Sequence, residues 1–192
     1  TEVESATPLW QLAWEDVRAG KLEVKNKGNG MVFPRLILDG IPMQGDTSRA
    51  SNGLTIATRY TTLNGDRLDV SQLAQGTDFI AKVTVKNTGN RDYEELALDQ
   101  MFPSGWEILN TRLDNLNLGG ATPTYKDIRD DRVYQFFDLK RGERKTFHVM
   151  LNAAYLGQYY LPTVEAQAMY DRSINARVGG RWVKVLEPGT GG

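Results

Sequence analysis

The chain has 192 residues, enough for one domain with a substantial core and short for two. Hydrophobic residues at 40% and charged residues at 24% exclude a disordered or collagen-like class. A net charge of -1, with basic and acidic residues interleaved, gives no footprint for nucleic acid or an anionic membrane, and the absence of cysteine removes disulfides, thiolate catalysis and Cys-based metal sites from this stretch.

In chain order, PLWQLAWEDVRAG (Pro8 to Gly20) places Leu9, Leu12 and Ala13 at helical spacing, which leaves a short helix and an extended arm both open. A chain that starts at Thr1 rather than Met reads as part of something longer, so residues 1–20 are expected to be a linker or arm from a preceding domain. LEVKN (Leu22 to Asn26) and MVFPRLIL (Met31 to Leu38) flank Lys27-Gly28-Asn29-Gly30, the pattern of a hairpin with an edge proline. LTIATRYTTL (Leu54 to Leu63) is rich in β-branched residues and ends at Asn64-Gly65-Asp66, a turn signal. FIAKVTVKN (Phe79 to Asn87) alternates cleanly, with Phe79, Ala81, Val83 and Val85 inward and Ile80, Lys82, Thr84 and Lys86 outward.

LALDQMF (Leu96 to Phe102) stops at Pro103-Ser104-Gly105, and WEILNTRL (Trp106 to Leu113) follows. VYQFFDL (Val133 to Leu139) and RKTFHVMLNAA (Arg144 to Ala154) flank Lys140-Arg141-Gly142-Glu143, with Phe147, Val149 and Leu151 sharing a face. YYLPTVEAQAMY (Tyr159 to Tyr170) and RWVKVL (Arg181 to Leu186) complete the set. Short strands at roughly ten-residue spacing, punctuated by Gly, Asn and Pro, predict an all-β, antiparallel, immunoglobulin-like β-sandwich over residues 21–187. GTGG after Pro188 has nothing to bury, so 188–192 reads as a flexible tail, native or appended.

Catalytic chemistry is poorly represented. His148 is the only histidine and lies on the strand face opposite Phe147 and Val149, without a local carboxylate to orient it. Asp127, Asp130 and Asp131 lack the glycine turn and twelfth-position Glu of an EF-hand and are interleaved with Arg129 and Arg132, so they read as solvated loop charges. The 19 glycines form no phosphate-cradling motif, and Glu94 and Glu95 point to opposite faces if Tyr93 to Leu98 is a strand. No enzyme, cofactor or metal is expected. Trp106 and Trp182 read as core or sandwich-end packing, and Phe136 and Phe137 must split between two faces.

One stretch resists a purely structural reading. In TVEAQAMYDRSINARVGGRWVKV the residues Val164, Ala166 and Ala168 alternate inward, which places Met169 on the polar face, followed at once by Tyr170 and a turn through Asp171, Arg172 and Ser173.

Taken with MVFPRLILDGIP and FIAKVTVKNTGNRDYEELALDQMFPSGWEI, the stretch YYLPTVEAQAMYDRSINARVGGRWVKV resembles the C-terminal macroglobulin-like domain of bacterial alpha-2-macroglobulins, from about Gly20 to Leu186. The resemblance implies a non-enzymatic domain of a large, monomeric protease trap in the Gram-negative periplasm, anchored at the inner membrane as a lipoprotein. In such proteins a protease cleaves a bait region and an internal thioester is exposed to attack. The implied partners are the thioester domain of the same parent chain and, through the parent, target proteases, with no nucleic acid and no direct membrane contact by this domain. It further implies that Met169 and Tyr170 form a locking loop covering the thioester, for which a pliable Met and an aromatic ring are suited as apolar cover. An adhesion or scaffolding sandwich that binds a protein or glycan through its loops is the alternative from another class.

Overall fold

The computed structural model describes residues 23–35, 45, 47–109 and 119–189. The chain divides into two compact units, residues 1–40 and 41–192. In the first, the expected hairpin does not form over the described residues, because 23–35 carry no strand. Asn26 folds this segment on itself instead: its Oδ1 accepts the Gly28 N–H at 2.9 Å, and its Nδ2 donates to the Gly30 carbonyl at 2.6 Å. This asparagine turn supplies locally the bonds that a cross-strand ladder would have supplied. The Pro8 to Gly20 segment, Trp10, Trp14 and the ends of both hairpin arms lie outside the described residues.

The second unit is built of strands alone among its described residues: β1 (Ala50–Asn52), β2 (Leu54–Thr61), β3 (Gln72–Ala74), β4 (Asp78–Asn87), β5 (Tyr93–Met101), β6 (Trp106–Ile108), β7 (Tyr125–Ile128), β8 (Arg132–Leu139), β9 (Arg144–Ala153), β10 (Gly157–Leu161), β11 (Val164–Ala168), β12 (Asn175–Val178) and β13 (Arg181–Leu186). They form a six-stranded sheet β1-β12-β11-β5-β8-β7, a four-stranded sheet β2-β4-β9-β6 and a three-stranded sheet β10-β13-β3. Every ladder is antiparallel except β13 with β3, which is parallel.

The inner face of the four-stranded sheet serves two halves of the core. Val83 and Val85 of β4 and Phe147 of β9 pack with Leu96, Leu98, Phe137, Ala166 and Ala176 of the six-stranded sheet. Further along the same strands, Phe79, Val149 and Leu151 pack with Leu73, Leu161, Val183 and Val185 of the three-stranded sheet. Phe137 and Phe147 meet with ring centroids 4.6 Å apart, and Phe79 meets Trp106 edge-on at 4.9 Å. The alternation expected for β4 holds, with one refinement: Ile80 faces outward yet is buried, beside its ladder partners Thr61 and Met150, which are buried too.

The two smaller ladders of the last third form one long hairpin. Leu161 faces Arg181 in the three-stranded sheet and Val164 faces Val178 in the six-stranded sheet, so the register carries through unchanged. Pro162 and Thr163 on one arm and Gly179 and Gly180 on the other interrupt it, splitting the expected Tyr159 to Tyr170 strand in two. Pro162 offers no N–H to the ladder, and a Cβ on Gly179 would run into the backbone of Thr47. The hairpin therefore bends from one sheet into the other, and its closed end falls at the rim of the six-stranded sheet.

Candidate functional site

That closed end carries Met169 and Tyr170. On β11, Val164, Ala166 and Ala168 are buried and Gln167 is exposed, as the alternation requires. Ala168 and Ile174 anchor the two sides of the turn in the core, joined by an Ala168 N–H to Ile174 carbonyl bond of 3.0 Å. Between these anchors Met169 is 50% exposed and Tyr170 is 85% exposed. Neither side chain belongs to the domain's own core.

The turn is fixed from inside. Asp171 Oδ1 accepts the Ser173 hydroxyl at 2.6 Å and the Ser173 N–H at 3.1 Å, while the Ile174 N–H donates to the Asp171 carbonyl at 3.0 Å. Hydrogen bonds from the Ser173 side chain and backbone, with Arg91 nearby, hold the Asp171 carboxyl below the usual carboxylate range. Asn175 Nδ2 donates to the Arg172 carbonyl at 2.9 Å, and Asn52 Nδ2 reaches the Ser173 carbonyl at 2.7 Å from β1. Arg91 Nη2 lies 3.4 Å from Asp171 Oδ2, an exposed pair that orients more than it stabilises. A shallow hollow of about 220 Å³, lined by Arg91, Tyr93, Ala168, Tyr170, Asp171 and Ile174, opens beside the loop.

The other residues singled out in the sequence are dispersed. His148 stands in β9 opposite Lys82 of β4, half-buried. Asp127 pairs with Arg129 at 3.1 Å and Asp131 with Arg132 at 2.7 Å, and among the described residues no group of three potential ligands could hold a metal ion. Glu94 and Glu95 are not a regular strand pair: both are exposed, and Glu95 has φ 53° within a β-bulge. Phe137 is buried while Phe136 packs on Tyr125 at 5.8 Å, so the pair splits as expected. Trp106 is core, but Trp182 is not, being 53% exposed. It sits opposite Tyr160 on the outer face of the three-stranded sheet, rings 5.5 Å apart, because β13 turns Val183 and Val185 inward.

The family model for the bacterial alpha-2-macroglobulin MG10 domain matches residues 53–172, from the start of β2 through the Met169-Tyr170 turn. The chain belongs to this family. An alpha-2-macroglobulin of Pasteurella multocida is 26% identical over 91% of the chain, and one of Rickettsia conorii is 25% identical over 81%. The chain spans 9% of the length of each. Among solved structures, a native Escherichia coli alpha-2-macroglobulin spanning MG7 to the C-terminus superposes with TM-score 0.68 at 20% identity, over 78% of this chain and 25% of that one. A Salmonella alpha-2-macroglobulin variant gives TM-score 0.66 at 23% identity, over 78% and 10%.

The strands from β2 to β11 and the Met169-Tyr170 turn thus lie within the matched MG10 domain, and a macroglobulin domain is not an enzyme. What this one offers chemically is a surface. Two adjacent side chains, one thioether and one phenol, project from a turn whose backbone is fixed on both flanks by buried residues.

Proposed function

We propose that this MG10 domain is the C-terminal macroglobulin domain of a bacterial alpha-2-macroglobulin that acts as a protease inhibitor, and that it packs on the thioester domain of the same parent chain. Met169 and Tyr170 are its locking loop. The carrying observation is their position: apolar, adjacent and exposed at the tip of a hairpin whose flanking residues Ala168 and Ile174 are buried. A thioester survives only while water and amines are kept from its carbonyl carbon. A Met side chain adapts to an irregular surface and an aromatic ring covers a wide area with few rotatable bonds, so the pair suits exclusion of solvent. The chain contains no cysteine, so the bond protected lies elsewhere in the parent. The parent is a monomer of the periplasm, held at the inner membrane as a lipoprotein, and this domain contacts neither membrane nor nucleic acid directly.

The test uses the full-length parent carrying Met169→Ala and Tyr170→Ala, exposed to methylamine before any protease is added. The amine nitrogen attacks the thioester carbonyl, the C–S bond breaks, and an amide and a free thiol result, which mass spectrometry counts. The expected outcome is rapid incorporation in the variant while the wild type stays inert. Equal labelling in both would remove the shielding role and leave Met169 and Tyr170 as surface residues of the sandwich.

A further inference from the structure

The locking loop begins where the neighbouring strand has one residue too many. On β5 and β8, Tyr93 faces Leu139 and Leu96 faces Phe137, so three steps along β5 match two along β8, and Glu94 and Glu95 share Asp138 as their counterpart. Glu95 has φ 53°, in the left-handed region that a residue with a side chain enters only when its surroundings hold it there. Asp138 provides that hold. Its Oδ1 accepts the Glu95 N–H at 2.8 Å, a charge-assisted bond in the place where a regular ladder would have a backbone carbonyl. Its own carbonyl accepts Lys145 Nζ from β9 at 2.7 Å, tying the bulge to the second sheet.

On its other side the bulge meets the loop. The β5–β11 ladder ends with Ala168 opposite Leu96, and the next contact is the Met169 N–H donating to the Glu95 carbonyl at 3.1 Å. Had β5 continued without the extra residue, the same register would have carried Met169 and Tyr170 on into the ladder as ordinary strand residues. Instead the β5–β11 pairing stops at Leu96, beside the left-handed Glu95, and the chain bends into 169–173.

We propose that the Glu94–Glu95 bulge, pinned by Asp138, is the device that ends the β11 ladder and sets the position of Met169 and Tyr170, which makes Asp138 a positioning residue for the lid, acting through the left-handed backbone at Glu95. The proposal rests on the locking-loop reading given above. Neither residue needs to touch the thioester; they fix where the cover stands relative to the core.

Two readouts test it. In this chain, single-amide hydrogen exchange is compared for wild type, Asp138→Ala, Asp138→Asn and Glu95→Gly. Loss of the Asp138 acceptor is expected to raise exchange at the Met169 amide about tenfold, while amides of Val83 and Phe147 keep their protection. Asp138→Asn retains an oxygen acceptor and Glu95→Gly retains the left-handed conformation, so both should keep Met169 protected. An unchanged Met169 amide in Asp138→Ala, or a rise shared equally by Val83 and Phe147, overturns the proposal. In the full-length parent, Asp138→Ala should raise methylamine incorporation alongside Met169→Ala and Tyr170→Ala. If the Met169 and Tyr170 variants react and Asp138→Ala does not, positioning is overturned and the lid stands. If Asp138→Ala frees the Met169 amide yet no variant reacts with methylamine, the lid reading fails, and the role assigned to the bulge fails with it.

Discussion

Asn87 shows how much one side chain can organise. It is fully buried at the end of β4; its Nδ2 donates to the Arg91 carbonyl at 2.8 Å and to the Leu139 carbonyl at 3.2 Å, while its Oδ1 accepts the Gly89 N–H at 2.9 Å. One residue thereby satisfies three backbone groups, those of Gly89 and Arg91 in the β4–β5 connection and that of Leu139 in β8. Gly89 is part of the same design, since a Cβ there would overlap the Tyr93 hydroxyl. Asn87→Ala should cost about 2–3 kcal/mol in urea unfolding, because the freed groups are left without partners in a closed site. A loss under about 0.5 kcal/mol would mean that water replaces the amide and that the turn is held by its neighbours. Asn87→Asp keeps the acceptor but loses both donors and buries a charge, so it should be at least as damaging.

Among the elements, the bent hairpin β10-β11/β12-β13 carries the Met169-Tyr170 turn at one end and joins the two halves of the core. Its bend depends on glycine for space rather than for conformation: the position of a Cβ on Gly179 is occupied by Thr47 backbone, and that of a Cβ on Gly180 by the Tyr160 ring and the Leu161 carbonyl. Gly179→Ala should therefore lower stability by about 1–3 kcal/mol, the range for forcing extra volume into a packed site. Gly76 is the comparison, with open space around it and φ 82°, so Gly76→Ala reports the conformational cost alone, about 1 kcal/mol. Thermal unfolding of the two variants separates them, and no shift in Gly179→Ala would mean that Thr47 yields without cost. Much of this was legible in the sequence. The strands β2, β4, β5, β8, β9 and β13 follow from alternation because each has one face in the core and one toward solvent. The Glu94–Glu95 bulge was not, because two exposed carboxylates look alike in a strand and in a bulge, and only the register against β8 distinguishes them. The break at Pro162 was written in the sequence as a proline, yet its consequence depended on Gly179 and Gly180 lying across from it, a pairing that spacing alone does not give. Trp182 misled for a related reason: its size argued for burial, whereas strand parity, which Val183 and Val185 decide, turned it out. The Met169-Tyr170 turn was visible as a violation of alternation, and the structure places both residues outside the core.

The whole domain responds to pH through carboxyls of two kinds, and their signs oppose. Asp69, Asp131 and Asp171 are held below the usual carboxylate range, by the Ser71 backbone N–H, the Arg132 side chain and the Ser173 hydroxyl respectively. A carboxyl that binds its proton less readily when folded contributes stability that is present above its unfolded pKa, about 4, and is lost as pH falls through the folded value. Asp99 behaves in the opposite way. It is half-buried in β5, directly across the ladder from Glu165 of β11, and one of its oxygens is enclosed without a hydrogen-bond partner among the described residues. Desolvation raises its pKa, Glu165 and Asp131 add to the rise, and Arg132 opposes it. A raised folded pKa means that any stability from this group is present below the unfolded value and is lost as pH rises through the folded one. At neutral pH the charged Asp99 is therefore a cost to the fold, in the same sheet that ends at the Met169-Tyr170 turn. Wild-type stability should still fall in acid, because the three depressed carboxyls act there. The difference between Asp99→Asn and wild type isolates the opposing group: the variant should melt higher at pH 7, and its advantage should shrink as pH falls through the raised folded pKa and vanish below about 4, where wild-type Asp99 is protonated in both states. Paired melting curves from pH 3 to 8 decide it. A variant that melts lower at pH 7, or an offset that stays constant with pH, would mean that Arg132 outweighs burial and Glu165, and that Asp99 is held charged by a favourable pair.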